Sequence, residues 1–177
     1  MVEAAALPFF APWLSRTPRG DGHPVLVLPG FIGDDASTMA LRSFIRSWAY
    51  WAHGWRLGSN LGPTPDLLDG IGHRLEVVHG RHGRQVSLVG WSAGGVYARH
   101  LARAHPDRVR QVITLGAPLQ MHEGDRSAAS PITDLLKSRF DPTFGGAEEY
   151  LLGPLPVPST SIYSRTDGVA PWQACID

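Results

Sequence analysis

The segment from Gly90 to Gly95, which reads GWSAGG, constrains this chain more than any other part of its sequence. It follows an apolar run, QVSLV, and precedes VYARHLARA, which has the pattern of a helix. A serine between glycines at a strand-to-helix junction is typical of a nucleophile elbow, a sharp turn that holds the hydroxyl out above a sheet. Glycines are needed there because a side chain would collide with the adjoining strand or helix. The segment therefore predicts that Ser92 is presented as a nucleophile.

Apolar runs of strand length alternate with helical patterns along the rest of the chain. Strands are predicted in HPVLVLPGF, WRLG, QVSLV, VRQVITLGAPL and STSIYS, and helices in TMALRSFIRSWAYWA, from Asp66 onward, and in VYARHLARA. Asp34 to Ser37 are residue types that cap helix N-termini. In the helix that begins at Asp66, one face is predicted to be apolar: Leu67, Leu68, Ile71, Leu75 and Val78. The alternation predicts an α/β fold, a mostly parallel sheet with helices on both faces.

Residues that can carry chemistry follow three of these strands, where parallel α/β sheets place their functional sites. Pro29-Gly30-Phe31 follows the first strand, the elbow follows QVSLV, and Asp167 follows STSIYS. Pro-Gly and Asp-Gly pairs are also common in ordinary turns. With the elbow present, we expect these stretches to form one site along one edge of the sheet.

Four segments in this order resemble the α/β-hydrolase family, in particular its small esterase and lipase-like members: HPVLVLPGFIG, VSLVGWSAGG, ITLGAP and SIYSRTDGVAPW. The resemblance covers about residues 22–172. It implies that Ser92 is the nucleophile and Asp167 the acid that orients a histidine. It further implies that the backbone N–H groups of Phe31 and Ala93 form the oxyanion hole. The implied reaction is hydrolysis of carboxylic esters, acyl or lipid, without a cofactor or metal.

The resemblance also implies a catalytic histidine after the acid, and here the sequence departs from the family pattern. All eight histidines precede Asp167, and the chain ends at Asp177. We therefore expect that the family's last strand and helix are missing, as in a C-terminal truncation, and that Ser92 reacts slowly for lack of a base. An earlier histidine could substitute; His122 is the best candidate, although a loop histidine is usually a surface residue.

The chain is predicted to form one α/β-hydrolase domain over residues 1–177. Residues 1–21 are expected to lie across it as an N-terminal arm, and residues 121–156 form a lid-like insertion or a surface loop. No secretory signal or membrane span is recognised, so we expect no stable membrane insertion and a cytoplasmic location. The single cysteine, Cys175, excludes a disulfide within the sequence given.

Composition and motifs narrow the function classes further. Sixteen basic residues balance sixteen acidic ones, so net charge indicates no nucleic-acid partner. No metal-ligand spacing, phosphate-binding loop or dinucleotide fingerprint occurs. Three possibilities stay open: an ester hydrolase, an acyltransferase that uses the same site, and a non-catalytic binding module. The sequence leaves the ester substrate and the oligomeric state undetermined.

Overall fold

Five parallel strands form one sheet in the computed structural model, which describes residues 18–119, 153–167, 169 and 171–176. The strands are β1 (Pro24–Leu28), β2 (Trp51–Gly54), β3 (Val86–Trp91), β4 (Val109–Leu115) and β5 (Ser159–Ile162). Their order across the sheet is β2-β1-β3-β4-β5. The helices are α1 (Met39–Ser47), α2 (Pro65–His82) and α3 (Ala93–Ala104), and a 3-10 turn, Trp172–Cys175, follows β5. The predicted α/β fold with a parallel sheet is confirmed.

Helices cover both faces of the sheet, as predicted. Consecutive residues of a strand point to opposite faces. Leu26 and Leu28 of β1 therefore belong to the main core beneath α2 and α3. Val25 and Val27 face the other way and pack against Leu41 of α1. As a result, β1 is buried along its whole length.

Helix α2 begins at Pro65, one residue before the predicted start at Asp66. The Thr64 side chain accepts a hydrogen bond from the Leu67 N–H at 3.2 Å, and Pro65 occupies the first helical position. Both features stabilise a helix N-terminus. The predicted apolar face is confirmed: Ile71, Leu75 and Val78 are buried, and Leu67 and Leu68 are partly buried against the same core.

Helix α1 is shorter than its sequence predicts, and β2 begins earlier. The pattern predicted a helix through Ala52 and a strand from Trp55, but α1 ends at Ser47 and β2 is Trp51–Gly54. Ala49 has φ 65°, which is incompatible with a continuing helix. Residues from Trp51 onward instead pair with β1. Pairing with a buried strand outweighs the local helix preference of this segment.

The predicted capping role of Asp34 to Ser37 is also wrong. The residue at the helix boundary is Thr38, whose side chain makes no capping hydrogen bond. Asp34 and Ser37 close a turn before the helix, in which the Ser37 N–H donates to Asp34 Oδ1 at 3.0 Å. Residues of this type favour such turns as strongly as helix caps.

Arginine side chains occupy two carbonyl groups of β2, which lies at one edge of the sheet. Arg46 donates to the Ala52 carbonyl oxygen from Nε at 3.0 Å and from Nη2 at 2.7 Å. Arg74 Nε donates to the Gly54 carbonyl oxygen at 2.9 Å. An edge strand whose carbonyls are occupied by charged side chains is a poor template for pairing with another chain.

Most of the predicted arm and insertion lies outside the described residues. The structure describes residues 18–21 of the arm and 153–156 of the insertion, so the predicted roles of both segments stay predictions. Among the helices that the structure describes, none combines the length and the apolar character that crossing a membrane requires.

Candidate active site

Ser92 lies at the junction of β3 and α3 in a strained backbone conformation. Its φ is 51° and its ψ is −123°, a combination that residues with a side chain rarely adopt. The Ser92 N–H donates to the Leu115 carbonyl oxygen of β4 at 2.8 Å. The Ser92 carbonyl oxygen accepts from the Gly95 N–H at 2.8 Å. These two bonds hold the residue in the sharp turn that the GWSAGG segment predicts.

The glycines around Ser92 allow the start of α3 to pack directly on the strands. A Cβ atom on Gly90 would overlap the carbonyl group of Gly94. A Cβ atom on Gly94 would overlap the carbonyl group of Leu28 in β1. All of these neighbours are backbone atoms, so no side-chain movement could make room. The glycines are therefore required by close backbone approach, as predicted.

The loop after β1 passes beside the serine. A Cβ atom on Gly30 would lie 3.2 Å from Ser92 Cβ, and Phe31 is the next residue. Ala93 is the first residue of α3, and the N–H groups of a first helical turn have no acceptor within the helix. The structure thus places the loop of Phe31 beside Ser92, whose next residue in the chain is Ala93.

Asp167 lies at the same end of the sheet as Ser92. A Cβ atom on Gly116 would lie 3.0 Å from Asp167 Oδ2. Gly116 directly follows Leu115, whose carbonyl oxygen binds the Ser92 N–H. The other carboxylate oxygen, Oδ1, accepts from the Val169 N–H at 2.8 Å. Asp167 therefore follows β5, two strands away from β3 and Ser92, at the carboxyl end of the sheet where the sequence analysis expects it.

Seven of the eight histidines fall within the described residues, and none of these seven lies in a loop at the carboxyl ends of the strands. One precedes β1, one lies in β2, three lie on α2, and two lie near the end of α3. His122, the substitute considered from the sequence, lies outside the described residues.

Among the histidines that the structure describes, His53 of β2 has the most strongly shifted pKa. His53 Nε2 lies 2.9 Å from His82 Nε2. Burial, together with the positive charges of His82, Arg74, Arg81 and Arg46, lowers the pKa of His53 to about 4. His53 is therefore neutral in the folded chain at physiological pH.

Among the residues that the structure describes, no group of three or more His, Cys, Asp or Glu side chains could hold a metal ion.

Asn60 is a buried polar residue at the site that the sequence analysis did not identify. Its Nδ2 donates to the Pro29 carbonyl oxygen at 3.0 Å, and its Oδ1 accepts from Tyr97 Oη at 3.1 Å. Asn60 thereby joins the loop after β1 to helix α3. In the sequence it stands among glycines in GSNLG, a pattern that predicts only a turn.

Comparison with known proteins agrees with this architecture. No protein-family model matches the chain. The chain is 26% identical over 128 residues to serine hydrolase BPHL of Mus musculus, with 67% of this chain and 44% of that protein covered. The chain thus spans less than half the length of this curated relative.

Solved structures of lipolytic enzymes have the same fold. A structure from work on LipS and LipT, two metagenome-derived lipolytic enzymes, matches with a TM-score of 0.65 and 21% identity. The match covers 86% of this chain and 76% of the chain in that structure. The mature lipase BlEst2 of Bacillus licheniformis matches with a TM-score of 0.61 and 15% identity, covering 92% and 82%. The parallel sheet and these structural similarities show that the chain has the α/β-hydrolase fold, as the four motif segments predicted.

Proposed function

We propose that this chain is a serine hydrolase that acts on carboxylic esters through an acyl-enzyme intermediate. The observation that carries the proposal is the conformation of Ser92, with φ 51° between a buried strand and a helix N-terminus. Strained residues of this kind persist where the surrounding structure holds them, and they cluster at active sites. The curated relative is a serine hydrolase, and the structural relatives include lipases, which supports the same reaction class.

In the proposed reaction, Ser92 Oγ attacks the carbonyl carbon of the ester. A carbon–oxygen bond forms, and negative charge develops on the former carbonyl oxygen. The N–H groups of Phe31 and Ala93 donate to that oxygen; loss of one such donor typically costs about 3–4 kcal/mol. The tetrahedral intermediate then expels the alcohol, and water later hydrolyses the acyl-serine. A base must accept the proton of Ser92 and return it to the leaving alcohol, and Asp167 orients that base.

We propose no residue of the described structure as the catalytic base. The 177-residue sequence has no histidine after Asp167. Without a base, the serine hydroxyl keeps its proton and is a weak nucleophile. Serine hydrolases that lack one triad member retain a residual rate from the oxyanion hole and substrate binding. We therefore propose that the 177-residue polypeptide on its own reacts slowly.

The surroundings of the serine favour an apolar acyl group. Three large apolar side chains are exposed at the carboxyl ends of β1, β2 and β3: Ile32 at 51% and Leu61 at 45% on the loops after β1 and β2, and Trp91 at 47% as the last residue of β3. Exposed apolar side chains grouped at one end of a fold are typical of a surface that binds apolar partners. We infer that acyl or lipid esters are the substrate class.

Covalent labelling with a fluorophosphonate tests the proposal, because the probe reacts much faster with a serine at an oxyanion hole than with an ordinary surface serine. We expect slow labelling that mass spectrometry locates at Ser92. Ser92→Ala should abolish it, whereas Ser47→Ala, which changes an exposed serine of α1, should leave it unchanged. Hydrolysis of p-nitrophenyl butyrate should be slow and should depend on Ser92.

Two results would contradict the proposal. A folded chain that is not labelled cannot be a serine hydrolase and is better explained as a binding module. Ester turnover at the rate of ordinary esterases, abolished by Ser92→Ala, would support the hydrolase but disprove its slow reaction.

A further inference from the structure

We propose that Asn60 is a positioning residue that holds the loop of Phe31 and the helix start at Ala93 in one fixed arrangement. The inference rests on the proposed function, in which these two segments supply the oxyanion hole. Asn60 itself contacts neither the serine nor the substrate in this proposal. It acts through the backbone on both sides of Phe31 and through the side chain of Tyr97.

Asn60 binds the loop after β1 at three points. Its backbone carbonyl oxygen accepts from the Ile32 N–H at 2.7 Å, and its own N–H donates to the Gly33 carbonyl oxygen at 2.8 Å. Its side-chain Nδ2 donates to the Pro29 carbonyl oxygen at 3.0 Å. These bonds lie on both sides of Phe31, so the orientation of the Phe31 peptide follows from the position of Asn60.

The conformation of Ile32 shows that the loop is held against a local preference. Ile32 has φ 64°, a region that β-branched residues rarely enter. Such a conformation persists only where neighbouring bonds determine it. The Ile32 N–H bond to Asn60 and the adjacent Gly33 bond are two such constraints.

The second attachment of Asn60 is to α3. Its Oδ1 accepts from Tyr97 Oη at 3.1 Å and from the Gly62 N–H at 3.2 Å. Tyr97 stands one helical turn after Ala93, and its burial raises the pKa of its hydroxyl, which therefore stays a donor. The loop and the helix start are thus tied to the same amide group.

The side-chain amide of Asn60 satisfies all of these partners. The Pro29 carbonyl can only accept and the Gly62 N–H can only donate, so the side chain needs both a donor and an acceptor. Asn60 is fully buried, and no solvent reaches it to replace a missing bond. Aspartate would lose the donor and place a carboxylate beside the Pro29 carbonyl oxygen.

The experiment compares Asn60→Ala, Asn60→Asp and Tyr97→Phe by the rate of fluorophosphonate labelling of Ser92. We expect a fall of about 10–100-fold for either Asn60 variant, because a misplaced donor approaches the effect of a lost one. Tyr97→Phe removes the hydroxyl bond to Asn60 and leaves the bonds of Asn60 to the loop after β1, so a smaller fall of roughly threefold is expected. Ile71→Val is the control: it removes one buried methyl group from the core beneath α2, and labelling should stay unchanged although stability falls.

A second readout needs no activity. The backbone amide NMR signals of both Phe31 and Ala93 should shift in Asn60→Ala, and they should not shift in Ile71→Val. Unchanged signals at either residue in a folded Asn60 variant would overturn the proposal. Equal loss of labelling in Ile71→Val and Asn60→Ala would also overturn it, since Asn60 would then matter only for stability.

These outcomes separate the two proposals. If Ser92 of the unaltered chain is never labelled, the proposed hydrolase function fails, and the amide signals still decide whether Asn60 positions the two segments. If Asn60→Ala does not fold, Asn60→Asp, which keeps the size of the side chain, decides: unchanged signals at Phe31 and Ala93 would then overturn the role of Asn60.

Discussion

Replacing Gly94 with alanine tests how closely the first turn of α3 packs against the end of β1. The added Cβ atom would overlap the Leu28 carbonyl group and would lie 2.8 Å from the Pro29 carbonyl oxygen. Overpacking of a core costs about 1–3 kcal/mol, and rigid backbone neighbours favour the upper end of that range. Alanine regains up to about 1 kcal/mol of helix propensity, which only partly offsets the cost.

Thermal and urea unfolding measure the effect. For a domain of this size, each kcal/mol shifts Tm by about 2–4 °C, so Gly94→Ala should lower Tm by about 2–8 °C. Gly80→Ala is the matched control, because Gly80 also lies in a helix and its added Cβ atom would meet no atom within 4 Å. That variant should gain about 0.5–1 kcal/mol from helix propensity alone.

The difference in Tm between Gly94→Ala and Gly80→Ala tests whether the start of α3 packs on the β1 backbone. If Gly94→Ala is as stable as Gly80→Ala, the start of α3 does not rest on the β1 backbone, and the glycines of the elbow are not required by packing. Fluorophosphonate labelling of Gly94→Ala should also slow, because the Ala93 N–H moves with the helix start. Unchanged labelling in a destabilised variant would argue against Ala93 as an oxyanion donor.

Two further predictions concern residues away from the serine. Thr64→Ala removes the side-chain cap of α2, because Thr64 Oγ1 accepts from the Leu67 N–H. The free energy of unfolding, measured by urea titration, should fall by about 1 kcal/mol. An unchanged urea midpoint would show that another group replaces the cap. The pKa of His53 falls from 6.5 to about 4 on folding, so the unfolded chain binds more protons than the folded chain below pH 6.5. The stability that comes from keeping His53 neutral is therefore complete above pH 6.5 and is lost as the pH falls toward 4. His53→Gln should flatten the dependence of the free energy of unfolding on pH between 6.5 and 4. His73→Gln, at an exposed position, should leave that dependence unchanged.

Segments with strong local signals were predicted well from the sequence. The strand, turn and helix around Ser92 follow from an apolar run, closely spaced glycines and a helical pattern in adjacent residues. Helix α2 was likewise predicted to within one residue of its start, from the residues that follow Pro65 and from its apolar face. Local backbone sterics and burial both favour the same conformation in these segments, so no distant contact is needed to choose it.

Segments whose conformation depends on distant partners were predicted poorly. Residues 48–52 have a helical composition, but pairing of β2 with β1 and the positive φ of Ala49 end the helix before them. Asn60 looks like any turn residue until the loop after β1 and Tyr97 are folded against it. Residue type alone does not reveal which backbone groups will be buried nearby and need partners.

The amino-acid sequence by itself determined the fold class, the parallel sheet and the position of Ser92 on a strained turn, because each depends on the pattern of neighbouring residues. Tertiary structure alone decided where β2 begins, how closely the loop of Phe31 approaches the serine, and that Asn60 ties this loop to α3. Those features arise from hydrogen bonds and backbone contacts between residues far apart in the chain. Such contacts exist only after the sheet has brought its carboxyl ends together.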